Sequence, residues 1–180
     1  MRAIDAIGVL GLVGIAACGT ATDTTPATLC ATNDAPTYEL GASDGTQPFR
    51  SLADDAMFQL SRGPQGGCHL ALAFRTTGFD GMQARIGYRL TVVDTGEVIN
   101  DMMATADLDA TMLGPTTCEL TNFRAFMGFK AWEADGKRVR IDTAITDFRN
   151  KSATKSVTVL VTWPDEAPNA DRDTLCGPRG

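Results

Sequence analysis

Cys68-His69-Leu70-Ala71-Leu72-Ala73-Phe74 is the stretch whose reading decides the fold. Side chains along an extended chain point alternately to two faces. Cys68, Leu70, Leu72 and Phe74 therefore share one side, with His69, Ala71 and Ala73 on the other. A helix would repeat its apolar residues every three or four positions. The period of two predicts a strand over 68–75 with its larger apolar groups turned into a core. The same alternation recurs outward from it. Residues 85–93 set Ile86, Tyr88, Leu90 and Val92 against Arg85, Arg89 and Thr91, and 138–145 set Val139, Ile141 and Ile145 against Arg138, Arg140 and Asp142. Residues 156–163 align Val157, Val159, Val161 and Trp163, and 56–61 form a shorter piece. Residues 123–132 are apolar on both faces and read as a central or covered strand. Asp44-Gly45, Asp80-Gly81 and Asp135-Gly136 suit tight turns with positive φ. The last of them is expected to close a hairpin between Trp132 and Val139. Many short strands separated by turn residues predict a single-domain, all-β fold, an antiparallel β-sandwich of immunoglobulin-like topology. Residues 97–113, rich in Ala, Met, Leu and Asp, read as a short helix or an irregular crossover, with Met102, Met103 and Met112 filling core gaps.

The amino-terminal part has a different character. Arg2 precedes an apolar run from Ala6 to Ala17 that is too short to span a bilayer, which takes about 20 residues, and has the layout of a secretory signal. The run ends in Ile15-Ala16-Ala17-Cys18, which resembles a bacterial lipobox: an aliphatic residue three places before a cysteine, with small residues between. That resemblance implies cleavage before Cys18, a thioether-linked lipid with further acyl chains on the new terminus, and attachment to the cell envelope. Gly19 stands where an inner-membrane retention signal would place Asp, so the outer membrane is the expected destination. The organisation read from the sequence is a signal peptide over 1–17, a lipidated cysteine and flexible Thr-rich tether over 18–36, and a β-sandwich over 37–180. A domain of that size buries about 68–70% of its unfolded surface. The net charge of −6 excludes the basic footprint of a nucleic-acid binder and of polybasic attraction to anionic lipid.

With Cys18 given to lipid, Cys30, Cys68, Cys118 and Cys176 remain, an even number in an oxidising compartment, and read as two disulfides. Their long spacings do not suit zinc. Three connectivities are open. The inward face of Cys68 favours Cys68–Cys118 across facing sheets, with Cys30–Cys176 stapling the ends.

Gly63-Pro64-Gln65-Gly66-Gly67 leads into a strand rather than a helix and carries no lysine, so it is a shaped turn rather than a phosphate cradle. Gly-Pro-Gln-Gly-Gly-x-His before an alternating strand resembles a family of uncharacterised secreted or lipid-anchored proteins of myxobacteria and their relatives, over residues 40–75. The resemblance implies an envelope location and a β-rich domain, and supplies no activity.

His69 is the single histidine, which leaves no H-E-x-x-H zinc site, and no G-x-S-x-G elbow is present. A triad would have to use His69 on the Ala71/Ala73 face, where small side chains leave a shallow groove. Asp54-Asp55 and Asp107-x-Asp109 offer carboxylates for glycoside chemistry, which needs them about 5–10 Å apart. Asn169-x-Asp171-x-Asp173 copies the start of a calcium loop but lacks its glycine and its closing glutamate. No catalytic residue, metal or cofactor is therefore assigned. The sequence favours a lipid-anchored envelope protein that works by binding or structural contact, its partner an envelope protein or polysaccharide. A hydrolase using His69 or an acidic pair, and a calcium-dependent carbohydrate-binding module, are the alternatives.

Overall fold

The computed structural model describes residues 34–62, 67–80, 83–108, 111–113, 116–127, 131 and 133–163. Eleven strands run through them: β1 (Thr37–Ala42), β2 (Arg50–Ser51), β3 (Ala56–Gln59), β4 (Ser61–Arg62), β5 (Cys68–Thr77), β6 (Ala84–Val92), β7 (Val98–Ala106), β8 (Thr111–Met112), β9 (Thr117–Phe126), β10 (Arg138–Thr146) and β11 (Ser152–Thr162). One sheet has the order β2-β1-β5-β9-β8, with β4 also paired to β5, and the other has the order β3-β11-β10-β6-β7. The chain before β5 is shared between the sheets: β1 pairs with β5, while β3 lies parallel to β11. With β5 and β9 in one layer and β6, β10 and β11 in the other, the arrangement is immunoglobulin-like. The all-β, single-domain sandwich read from the sequence is the fold observed, with β3–β11 as a parallel pair within it.

Alternation places the core. Leu70, Leu72 and Phe74 of β5 are fully buried together with Ile86 and Leu90 of β6, Val139, Ile141 and Ile145 of β10, and Val159 and Val161 of β11. Each such side chain contributes roughly 1.5–3 kcal/mol on leaving water. Phe74 meets Tyr38 and Phe123 edge-on at 5.9 and 5.5 Å, and Tyr88 meets Phe123 at 5.9 Å, the orientation the ring quadrupoles prefer. The Tyr38 hydroxyl crosses between layers, donating to the Thr143 carbonyl at 3.0 Å and lying 2.7 Å from the Thr143 hydroxyl. The β5–β9 register slips between Leu72 and Phe74. The extra β9 residue is taken up where Asn122 adopts φ 55°, a left-handed conformation that asparagine tolerates better than most.

Four expectations need correction. Residues 97–113 are not helical: Val98–Ala106 is a full strand, because the free edge of β6 offers it a continuous ladder from Ala84↔Ala106 to Tyr88↔Met102, and that pairing outweighs the helix propensity of its Ala and Met residues. Met102 and Met103 accordingly stand 47% and 67% exposed rather than filling the core. The strand expected over 123–132 is displaced to Thr117–Phe126; beyond it, Met127, Ala131 and Ala134 are buried in irregular chain and a 3₁₀ turn, which is why that run looked apolar on both faces. No Asp135-Gly136 hairpin forms, since β9 and β10 belong to different sheets; Asp135 Oδ1 instead accepts the Trp163 N–H at 3.3 Å and the Gly136 N–H donates to Val161.

The favoured Cys68–Cys118 bridge is also ruled out. Cys68 is opposite Arg62 at the start of β5 and Cys118 is opposite Thr76 near its end, in the same sheet. Eight residues at about 3.3 Å each put them roughly 26 Å apart, where bridged Cα atoms lie within about 7 Å. The pleat did turn Cys68 into the core, but its supposed partner is not on the facing layer. Cys18, Cys30 and Cys176 lie outside the described residues.

Candidate functional site

The outer face of the β3-β11-β10-β6-β7 sheet carries a broad concavity. With Ile86, Tyr88 and Leu90 turned inward, the residues between them face out, and the register sets them in transverse rows. Met103, Gly87, Ala144 and Thr154 form one row across four strands; Asp101, Arg89, Asp142 and Ser156 form the next. Gly87 has no side chain and Ala144 only a methyl, so the centre of the first row is low. A side chain at Gly87 would find its nearest neighbours, the Ala144 and Met102 carbonyl oxygens, at 3.9 and 4.0 Å, so the floor is open rather than tightly packed. The result is a trough of ≈ 710 Å³.

One wall is a row of paired charges. Arg89 donates to Asp101 Oδ2 from Nε at 2.9 Å and from Nη2 at 2.5 Å, and Arg140 Nε lies 2.9 Å from Asp142 Oδ2. The hydrogen bond to Asp101, and then its charge, hold the Arg89 guanidinium above its ordinary value. Lys155 Nζ donates to the Tyr38 carbonyl at 3.0 Å. At the β7 rim Met102 and Met103 expose flexible, polarizable thioethers of the kind used by adaptable binding surfaces, and the Tyr88 hydroxyl donates to the Met102 sulfur at 3.4 Å. Each trough carboxylate has its own arginine partner, Asp101 with Arg89 and Asp142 with Arg140, so no single-sign field selects phosphate or a metal. Apolar floor, thioether rim and satisfied charges suit a neutral, extended ligand held by surface contact and a few hydrogen bonds.

The residues singled out in the sequence lie elsewhere. His69 is buried between Ser61 and Phe126 on neighbouring strands. Desolvation, with the positive charge of Arg124 added to it, pushes its imidazole below the ordinary value. Among the described residues the groove expected beside it is reduced to a hollow beside Phe49, Phe58 and Ser61 that reaches Ala71; Ala71 is itself buried and Ala73 fully so. Asp54 Oδ1 accepts the Thr158 N–H at 2.8 Å and Asp55 pairs with Arg138 at 2.9 Å, so both tie the loop before β3 to the neighbouring strands. Asp107 Oδ1 accepts the Gln83 N–H at 2.9 Å. Thr158 shares a row with Arg140 and Thr91, eight residues along the chain from Gln83, so Asp107 is held roughly 25 Å from Asp54 and Asp55, too far to share a glycosidic bond with them. Asp109, the Asn169-x-Asp171-x-Asp173 stretch and Gly63 to Gly66 lie outside the described residues. Among the described residues no group of three or more His, Cys, Asp or Glu side chains is placed to hold a metal, and no helix is long and apolar enough to cross a membrane.

Fold and trough together define an immunoglobulin-like β-sandwich with an open concave face on its β7-β6-β10-β11 layer. No protein-family model and no curated protein sequence matches the chain.

Proposed function

We propose that this chain is a lipid-anchored protein of the bacterial cell envelope that works by binding, through the trough centred on Gly87 and Ala144, an envelope protein or polysaccharide. The lipobox-like Ile15-to-Cys18 stretch supports the lipid anchor, and the resemblance of Gly63 to His69 to secreted or lipid-anchored myxobacterial proteins supports an envelope location. The trough carries the binding reading. It is a built concavity with an apolar floor, whereas the residues that would serve a hydrolase have structural partners: His69 is buried, and Asp54, Asp55 and Asp107 hold backbone amides or an arginine.

Each half of the reading has its own test. Replacing Cys18 by Ser is expected to release the protein from the membrane fraction into the soluble envelope fraction. Retention of the C18S protein in membranes would reject the lipid anchor. For the trough, a photo-crosslinking residue at Met103 in intact cells is expected to capture a defined partner, while the same residue at exposed Val93, outside the trough, is not. Equal capture from both positions would reject the trough as the binding face.

A further inference from the structure

We infer that Cys118 is bridged to Cys30 and Cys68 to Cys176, so that each end of the domain is fastened to an opposite end of the β5–β9 pair. The inference uses the lipid reading of Cys18 in one step only, the assignment of Cys176. Cys68 and Cys118 are each half of a disulfide, and they lie too far apart to be bonded to one another. Their partners therefore come from Cys18, Cys30 and Cys176.

Chain reach assigns Cys30. A side chain built on Gly78 would meet the carbonyl oxygens of Asp34 and Ala35 at 3.1 Å, so residue 34 sits against the chain just beyond β5. Thr37, Thr77 and Thr117 are aligned on adjacent strands there, one residue from Cys118. Four residues separate Cys30 from Asp34, a span of at most about 14 Å, to which a bridge adds about 6 Å. Cys118 falls inside that radius. Cys68, ten residues from Gly78 along the chain and roughly 30 Å away, falls outside it.

Cys68 is then left with Cys176, because Cys18 carries lipid. The geometry at the carboxyl-terminal side agrees. The Leu60 N–H donates to the Thr162 carbonyl at 2.8 Å and Gln59 Nε2 to the Trp163 carbonyl at 3.3 Å. Ser61 and Arg62 follow directly and pair with His69 and Cys68. The chain thus reaches Trp163 at the Cys68 end of the sheet, and the thirteen residues on to Cys176 have ample reach. Each bridge forms by thiol–disulfide exchange: two thiols lose two protons and two electrons to a disulfide oxidant of the envelope, which leaves as a dithiol. Both bridges then brace the same sheet, one at each end.

The test is disulfide mapping of the natural protein by mass spectrometry. Free thiols are blocked at low pH, and the protein is digested without reductant by trypsin and an aspartate-directed protease. Cleavage at Asp23 separates Cys18 from Cys30, and cleavage at Arg62, Arg75, Arg124 and Arg172 isolates the other three. The expected spectrum contains two linked pairs, Cys30 with Cys118 and Cys68 with Cys176, with an acylated Cys18 peptide. A Cys30–Cys68, Cys118–Cys176 or Cys30–Cys176 pair, or free thiols at these positions, overturns the pairing. Cys18 linked to Cys68 overturns both the pairing and the lipid anchor; the two expected pairs with an unmodified Cys18 overturn the anchor alone. As an independent check, the Cys30→Ser variant is expected to expose one alkylatable thiol at Cys118, and labelling at Cys68 instead would overturn the pairing.

Discussion

Tyr38 shows how one side chain can couple the two layers. Its hydroxyl is buried against Thr143, and burial pushes it up to about 12, with the hydrogen bonds opposing. Replacing it by Phe is expected to cost about 1 kcal/mol near neutral pH, since a buried hydrogen bond is lost while the Thr143 hydroxyl keeps the Lys155 carbonyl at 3.2 Å. The alkaline behaviour is more diagnostic. Above pH 10 the unfolded chain loses the Tyr38 proton and the folded one keeps it, so stability present below pH 10 declines as pH rises toward 12, by an amount of roughly 2–3 kcal/mol. Tyr38→Phe should flatten that decline in urea titrations between pH 9 and 11.5, leaving a remnant from Tyr88, whose hydroxyl is also raised by burial. An unchanged slope would show that Tyr38 ionises freely. His69 acts at the other limb. Its imidazole, lowered by burial and then by Arg124, takes up a proton in the unfolded chain at about pH 6.5 before it does so in the folded one. Stability therefore falls as pH drops below that point, and His69→Gln should remove that part of the slope between pH 7 and 5. These partners were not legible in the sequence: Tyr38 and Thr143 are 105 positions apart, and only the stacking of the two layers joins them.

Among the elements, the β10–β11 pair depends on a turn that the usual dipeptide signals do not mark. Asp147 is buried, and its Oδ1 accepts the N–H groups of Arg149 and Lys151 while Oδ2 accepts that of Asp80, each at 2.9 Å. Asn150 takes φ 62° within the turn. Asp147→Ala is expected to leave these donors without an acceptor and to cost about 2–4 kcal/mol, read as a lower urea midpoint. A change within 0.5 kcal/mol would show that water replaces the carboxylate. The sequence pointed instead to Asp135-Gly136, a stronger dipeptide signal that closes no hairpin because its flanking segments pack in different layers. Alternation located β5, β6, β10 and β11 to within a few residues because the larger apolar side chains of each fall on one face; β6, β10 and β11 leave their other face partly open, whereas β5 is covered on both. It failed at β7, an edge strand with little to bury, where composition pointed to helix and ladder pairing prevailed.

On the scale of the whole molecule, two bridges that tie both ends of the domain to one sheet constrain the unfolded chain strongly. With the proposed pairing, reduction is expected to lower stability by about 2–4 kcal/mol per bridge. Unfolding curves with and without reductant would measure this, and coincident curves would show that the bridges do not hold the domain together. The sequence by itself determined that the chain is an all-β sandwich, because period-two burial is a local property written residue by residue. It also places the lipobox-like stretch and the four cysteines beyond it along the chain. Only the tertiary structure decided which of these meet. Gly87, Ala144, Met103 and Thr154 are unremarkable in their own segments and become a trough because the register of four strands puts them in one row. Cys68 and Cys118, both suited to a core position, are kept apart because they fall at opposite ends of two strands in the same layer. Burial periodicity is set by neighbours in sequence, whereas register and layer membership are set by which strands pair, and no short stretch of chain carries that information.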